Sequence, residues 1–189
     1  MPLEPAYLFQ LTVNGVILGL LYALIVAGLA LIFGVLEIIN FAHGEFLMAG
    51  AYAMAFILPL FGLDYWPAMV AAVLLTGLAG FVVYELFLAR VGQSEFERAI
   101  LITLGLSMIL VYGAQYLFSA TPRLVDTNFG FDGLDVGTVR ITWTRIVAGA
   151  EALVAFAGLY AVLNFTQFGR AMRAIAQNRE AALMVGIRP

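Results

Sequence analysis

An all-α polytopic integral membrane protein, with about five transmembrane helices and a further helix at the cytoplasmic surface, is the fold class that three observations predict. Of the 189 residues, 63% are hydrophobic and only 11% charged, whereas soluble domains carry about 25% charged residues. Mean hydropathy is +1.01. Five apolar stretches are long enough, or nearly so, to cross a hydrocarbon core that takes about 20 helical residues; they lie at Phe9–Phe33, Phe46–Phe61, Pro67–Leu88, Ala99–Ser119 and Ile146–Phe165. Together they make one transmembrane domain over residues 1–189.

The first span carries Gly15, Gly19, Ala23 and Ala27, a small residue at every fourth position. In lipid, helices associate by close backbone contact, so this stripe marks a packing seam. The second span, with Ala49, Gly50, Ala51, Ala53 and Ala55, is equally thin-walled. It is also the shortest, as expected of a helix that starts partway into the membrane after Gly44. Ser94 and Glu97 stand at capping-box spacing ahead of the fourth span. Tyr112, Gln115, Tyr116 and Ser119 share one face of that span and either line a polar path or bond across helices. Glu85 and Glu151 lie close enough to span ends to reach the interface. Ala120–Arg140, with Pro122, Gly130, Gly133 and Gly137, reads as a solvated outer loop whose Asp126, Asp132 and Asp135 lack calcium-loop spacing.

Arginine placement orients the chain. Arg90 and Arg98 flank the loop between spans three and four, and Arg170, Arg173, Arg179 and Arg188 follow span five. Two crossings separate these segments, so both lie on one side, and the positive-inside rule makes that side cytoplasmic. Trp66 and Trp143 then fall at the outer interface as aromatic anchors. The N-terminus is outside if spans one and two both cross. Met1–Pro5 has no basic stretch of the kind that opens a cleaved signal peptide.

Composition excludes several chemistries. A net charge of −3 offers no nucleic-acid surface. No cysteine is present, which removes disulfides, thiolate catalysis and Cys-ligated metals. All nine basic residues are arginine, so the lysine that a P-loop places on nucleotide phosphates is missing. No cofactor is implied, and no catalytic residue.

The polar cluster Asn40, His43, Gly44 and Glu45 interrupts otherwise lipid-compatible sequence. Ionisable groups among spans are functional-site candidates, because charge in hydrocarbon costs several kcal/mol. One His and one Glu fall short of a metal site. A proton relay through His43 and Glu45 is one reading. The reading that needs least is a helix break at Gly44 whose polar side chains satisfy freed backbone groups beside a water-filled path. The segment Gly169–Gly186 differs in kind: Arg170, Arg173, Gln177 and Glu180 share one face of an amphipathic helix, with Met172, Ile175, Ala176 and Leu183 elsewhere. Such a helix lies on anionic lipid or docks a partner.

The run from Ala27 to Phe46, an apolar stretch that ends in Ile39-Asn40-Phe41-Ala42-His43-Gly44-Glu45, resembles the signature of permease subunits of branched-chain amino-acid ABC importers. The later segment, Gly169-Arg170-Ala171-Met172-Arg173 through Glu180-Ala181-Ala182 to Gly186, is similar to the loop by which importer permeases contact their ATPase subunits. The two unrelated motifs stand in the expected order, and the resemblance covers most of the chain.

The resemblance implies a multi-pass subunit of the bacterial inner membrane that is not itself an enzyme. It would pair with a second permease subunit, dock two ATP-binding subunits on the cytoplasmic side, and receive substrate from an extracytoplasmic binding protein. Gly169–Gly186 would be its cytoplasmic coupling helix. Permeases of this kind continue with further spans, so the chain is similar to the N-terminal part of one. Related importers of urea and short amides share the signature, which leaves the substrate open. A proton-coupled carrier or channel using His43 and Glu45, and a membrane scaffold without transport, are the alternatives from other classes.

Overall fold

The computed structural model describes residues 5–90, 96–119, 121, 125, 132–136 and 139–187. Seven α-helices and one hairpin follow in order: α1 (Pro5–Leu36), α2 (His43–Phe61), α3 (Tyr65–Val83, continued by a π-helical turn at Tyr84–Leu88), α4 (Phe96–Phe118), β1 (Gly133–Val136), β2 (Val139–Thr142), α5 (Trp143–Phe165), α6 (Gln167–Gln177) and α7 (Arg179–Met184). Five of these helices are long and apolar enough to cross a membrane, and they coincide with the five expected spans. Ser94 of the expected capping box lies outside the described residues. Two compact units are present, one of Met1–Leu36 with Phe129–Pro189 and one of Glu37–Asn128.

In the first unit α1 and α5 pack side by side in the same direction. Near one end Arg145 Nη1 donates to Asn14 Oδ1. One turn on, Ile17 lies against Gly149, 3.6 Å from where a Cβ would stand, and Ala152 is buried on the same face of α5. Near the other end of α1, Arg179 Nη1 donates to the Val35 carbonyl at 3.3 Å. The 21 residues between Asn14 and Val35 span about 31 Å of helix, close to the roughly 30 Å of a bilayer core. Both polar contacts therefore sit where an apolar slab would end. Gly15, Gly19 and Ala23 are exposed, so the small-residue stripe of α1 is not the seam with α5.

Part of the expected outer loop is a hairpin. Antiparallel register pairs Gly133 with Thr142 and Asp135 with Arg140, and the Arg140 Nε stands 3.8 Å from Asp135 Oδ1. Two residues separate the strands, the commonest hairpin spacing. The Asp132 carbonyl accepts from the Trp143 N–H at 2.9 Å and so joins the hairpin to the start of α5. Asp126, Pro122, Gly130 and Gly137 lie outside the described residues.

In the second unit α2 is central. Gly62 (φ 59°) ends it, and the Leu63 N–H reaches back to the Leu58 carbonyl at 3.1 Å. This left-handed cap turns the chain straight into α3. The antiparallel pair buries Ile57 against Ala68 and Ala72, with Ala53 and Met54 alongside. On the other side α4 runs parallel to α2. Phe118 stacks on Tyr52 and meets Phe56, both with ring centroids 4.7 Å apart. Glu45 faces Ser107 in the same relation as Phe56 faces Phe118, eleven residues along each helix.

Candidate functional site

Two assemblies contain the residues singled out by sequence, one in each unit. The first is the break between α1 and α2. α1 ends at Leu36, and Glu37 follows at φ 56°. A left-handed residue after a helix is normally glycine, because a Cβ clashes there. The chain then reverses at Asn40: its Oδ1 accepts from the Ala42 N–H at 3.0 Å and its carbonyl accepts from the His43 N–H at 3.2 Å. An Asn side chain stands in for a backbone turn in this way. Ala42 is fully buried, and α2 begins at His43. Gly44 therefore lies inside the first turn of α2, which corrects its expected place as the break itself. Asn40 performs the reversal, and the left-handed position belongs to Glu37.

Helix α4 braces this break. Thr103, fully buried, donates to the Ile39 carbonyl at 3.2 Å and stands 3.1 Å from its own Ile100 carbonyl. One turn later Ser107 Oγ donates to Glu45 Oε1 at 2.7 Å. Thr103 and Ser107 are spaced i, i+4 and so share one face. That face answers the backbone accounting problem of a membrane break, where each orphaned carbonyl needs a partner. Sequence reading passed over both residues; two hydroxyls one turn apart in an apolar helix were the signal. His43 is half-buried at the head of α2, and Tyr112, Gln115 and Tyr116 point outward, Tyr116 at 90% exposure. Among the described residues, no group of three or more His, Asp or Glu could hold a metal ion.

The second assembly follows α5. Thr166 caps α6: its hydroxyl accepts from the Gly169 N–H at 3.0 Å and donates to the Val162 carbonyl at 2.6 Å. Gly169 is buried in the corner, where an added Cβ would stand 2.5 Å from the Leu163 Cα and closer still to the Val162 and Leu163 carbonyl oxygens. Arg173 reaches back to the Leu163 carbonyl and to Asn164 Oδ1. A cation suits the end of α5, where four carbonyls lack helical partners.

The expected single amphipathic helix over Gly169–Gly186 is two helices. Asn178 is extended (φ −158°, ψ 101°), and its Oδ1 accepts from the Ala181 N–H at 2.9 Å, which starts α7. Asn competes with helical hydrogen bonding by this local contact, so Glu180 leaves the face of Arg170, Arg173 and Gln177. α7 closes with Gly186 at φ 84°, the Gly186 N–H on the Leu183 carbonyl and the Ile187 N–H on the Ala182 carbonyl, both at 3.0 Å. That pair of bonds is the Schellman stop. Ala182 and Ile175 are buried, while Arg170, Glu180, Ala181, Leu183 and Met184 are exposed. Thr166, Asn178 and Arg179 were the residues sequence reading left out here.

Residues 11–189 match the family model described as the branched-chain amino acid transport system / permease component. The chain is similar to the high-affinity branched-chain amino acid transport system permease protein BraD of Pseudomonas aeruginosa, at 30% identity over 96% of this chain and 62% of that protein. It is similar also to LivH of Salmonella typhimurium, at 28% identity over 96% of this chain and 63% of the relative. A probable LivH permease of Methanocaldococcus jannaschii shares 26% identity over 92% of this chain and 56% of the relative. The chain thus spans less than two thirds of the length of these relatives. No solved structure matches. With a family model that takes in almost the whole described chain, and five helices fit to span a membrane, the protein belongs to the permease components of branched-chain amino acid transport systems.

Proposed function

We propose that this chain is a membrane-spanning permease subunit of an ATP-driven ABC importer for branched-chain or related small amino acids, in the bacterial cytoplasmic membrane. ATP hydrolysis belongs to two separate ATP-binding subunits that dock on α6–α7. A second permease subunit completes the path, and an extracytoplasmic binding protein delivers substrate. The family match and the printed names of the relatives support the substrate class.

The observation that carries the docking role is the build of α6–α7. Thr166 and Asn178 cap its two helices, and the Gly186 stop closes it. It nonetheless leaves Leu183 and Met184 exposed, Met184 at 82%. A preorganised segment with unspent apolar surface is suited to dock a partner, because little ordering cost remains on binding. Gly169 and Arg173 build its corner on α5, and Arg170, Glu180, Ala181 and Gly186 form the docking portion, with Ala182 buried beneath it. The arginine bias puts this end, and with it the C-terminal end of α1, on the cytoplasmic side. Asn40, His43, Gly44 and Glu45 then stand at the inner mouth of the path, where polar side chains meet an emerging zwitterion. The test is purification of the tagged chain from mild detergent extracts of its native membrane. ATP-binding subunits that co-purify in stoichiometric amounts support the reading, and their absence refutes it.

A further inference from the structure

Arg179 is the first residue of α7, and its guanidinium donates to the carbonyl of Val35, 144 positions earlier in the chain. That carbonyl is one of the four at the end of α1 that have no helical partner. A guanidinium is suited to it twice over, as a rigid planar donor and as a cation at the negative end of a helix dipole. Two residues beyond Val35 lies Glu37, held at φ 56°, and three residues after that Asn40 begins the reversal into α2. Arg173 grips the end of α5 in the same manner. The segment α6–α7 is thus anchored to the C-terminal ends of both spans of its unit, by one arginine each. Of these two helix ends, only that of α1 is followed by a non-glycine residue in the left-handed region, since Thr166 after α5 is extended.

We propose that Arg179 is a positioning residue for coupling, tying the docking helices to the exit of α1 and so to the break at 37–42. The proposal rests on the permease reading above and goes beyond it. A displacement of α7 by a docked ATPase would pull on the Val35 carbonyl and change how α1 ends. The left-handed Glu37 is the residue that yields most readily, since its backbone gains by returning to a right-handed conformation. Docking would then reach the break through the Arg179–Val35 hydrogen bond and the two peptide units that follow it.

The experiment uses the intact importer in sealed vesicles, with substrate uptake and ATP hydrolysis measured together. In Arg179→Gln, the ATP-binding subunits should still co-purify and hydrolysis should continue, while uptake per ATP falls at least about five-fold, the order expected for a lost charge-assisted hydrogen bond. Arg179→Lys, which keeps a cation and a donor, should lose less than about two-fold. The chain has no cysteine, so the pair Leu36→Cys with Arg179→Cys can be joined by a short bifunctional maleimide. Coupling should be poor before bridging and recover after it. This pair also decides the matter if Arg179→Gln does not accumulate. An unchanged uptake per ATP in Arg179→Gln overturns the proposal, as does failure of the bridge to restore coupling. Loss of the ATP-binding subunits from Arg179→Gln alone overturns it too, since Arg179 would then be a docking contact. A wild-type chain that retains no ATP-binding subunits defeats the permease reading first, and the proposal with it.

Discussion

Ser107 Oγ donates to Glu45 Oε1 at 2.7 Å, from α4 to the first turn of α2. One turn earlier Thr103 bonds the Ile39 carbonyl, so a single face of α4 holds both sides of the reversal at Asn40. Removing the Ser107 hydroxyl leaves a carboxyl oxygen without that donor, at a cost of about 1–3 kcal/mol. Ser107→Ala should lower the thermal midpoint of the purified protein and reduce uptake. Ser107→Thr, which keeps the hydroxyl, should stay near wild type. Equal midpoints in the two variants would contradict the brace.

The corner between α5 and α6 should be among the least tolerant glycine positions of the described residues. A Cβ at Gly169 meets backbone atoms of Val162 and Leu163, which cannot rotate away. Gly169→Ala should therefore cost at least the roughly 1–3 kcal/mol of overpacking, read as a lower thermal midpoint and poor accumulation in the membrane. Gly158→Ala in α5, with no atom within 4 Å of the added carbon, is the control and should be silent.

How far these features can be read from sequence depends on what each one rests on. Spans follow from summed hydropathy over about 20 residues, and all five were legible to within four residues at either end. The Asn40–Glu45 stretch was legible as a polar interruption, since any charge among spans stands out. Its brace was not, because Thr103 and Ser107 lie some sixty residues away and hydroxyls are common in apolar helices. The split at Asn178 turned on one side chain competing for a backbone N–H, a contest that helical periodicity does not register. The hairpin at Gly133–Thr142 hid among glycines, although a two-residue link between alternating segments was there to find. Arg179 looked like one basic residue among four.

Gly186 should respond to substitution in two stages. Its φ of 84° charges any L-residue about 1–2 kcal/mol, yet nothing lies within 4 Å of an added Cβ. Gly186→Ala should thus be mildly destabilised but functional. Gly186→Glu adds bulk and charge beside the exposed Leu183 and Met184 and, if α6–α7 docks an ATPase as proposed, should uncouple ATP hydrolysis from transport in the reconstituted complex. Normal uptake per ATP in Gly186→Glu would remove this stop from the docking surface.

Topology can be checked on a chain without cysteines. Glu97→Cys at the head of α4 and Asp132→Cys ahead of the hairpin should react with an impermeant maleimide from opposite faces of sealed vesicles. The parallel run of α1 and α5, from Asn14–Arg145 to Val35–Arg179, requires an odd number of crossings between them, as α2, α3 and α4 provide. Labelling of both sites from one face would refute the five-span orientation.

His43 stands at the head of α2, half-buried, with its N–H on the Asn40 carbonyl. A proton relay across the membrane needs several ionisable groups in series. The second unit offers Glu37 and Glu45 near His43, and the Glu45 carboxyl is already engaged by Ser107. Along the rest of that seam α2 and α4 bring together Tyr52, Phe56 and Phe118, rings that continue no carboxyl or imidazole chain. Under the proposed reading, ATP hydrolysis on partner subunits would drive transport without a coupled proton. The role expected of His43 is to supply polar atoms at the start of α2, where helix ends leave backbone groups to satisfy. His43→Gln and His43→Asn should then keep most of the uptake, and His43→Leu should lose more, because neighbouring polar groups go unmatched at about 1–3 kcal/mol each. The check is uptake of labelled substrate into ATP-loaded vesicles, followed from about pH 5 to about pH 8. A shallow profile in wild type and in His43→Gln is the expected result. A steep wild-type profile that disappears together with transport in His43→Gln would install the relay instead.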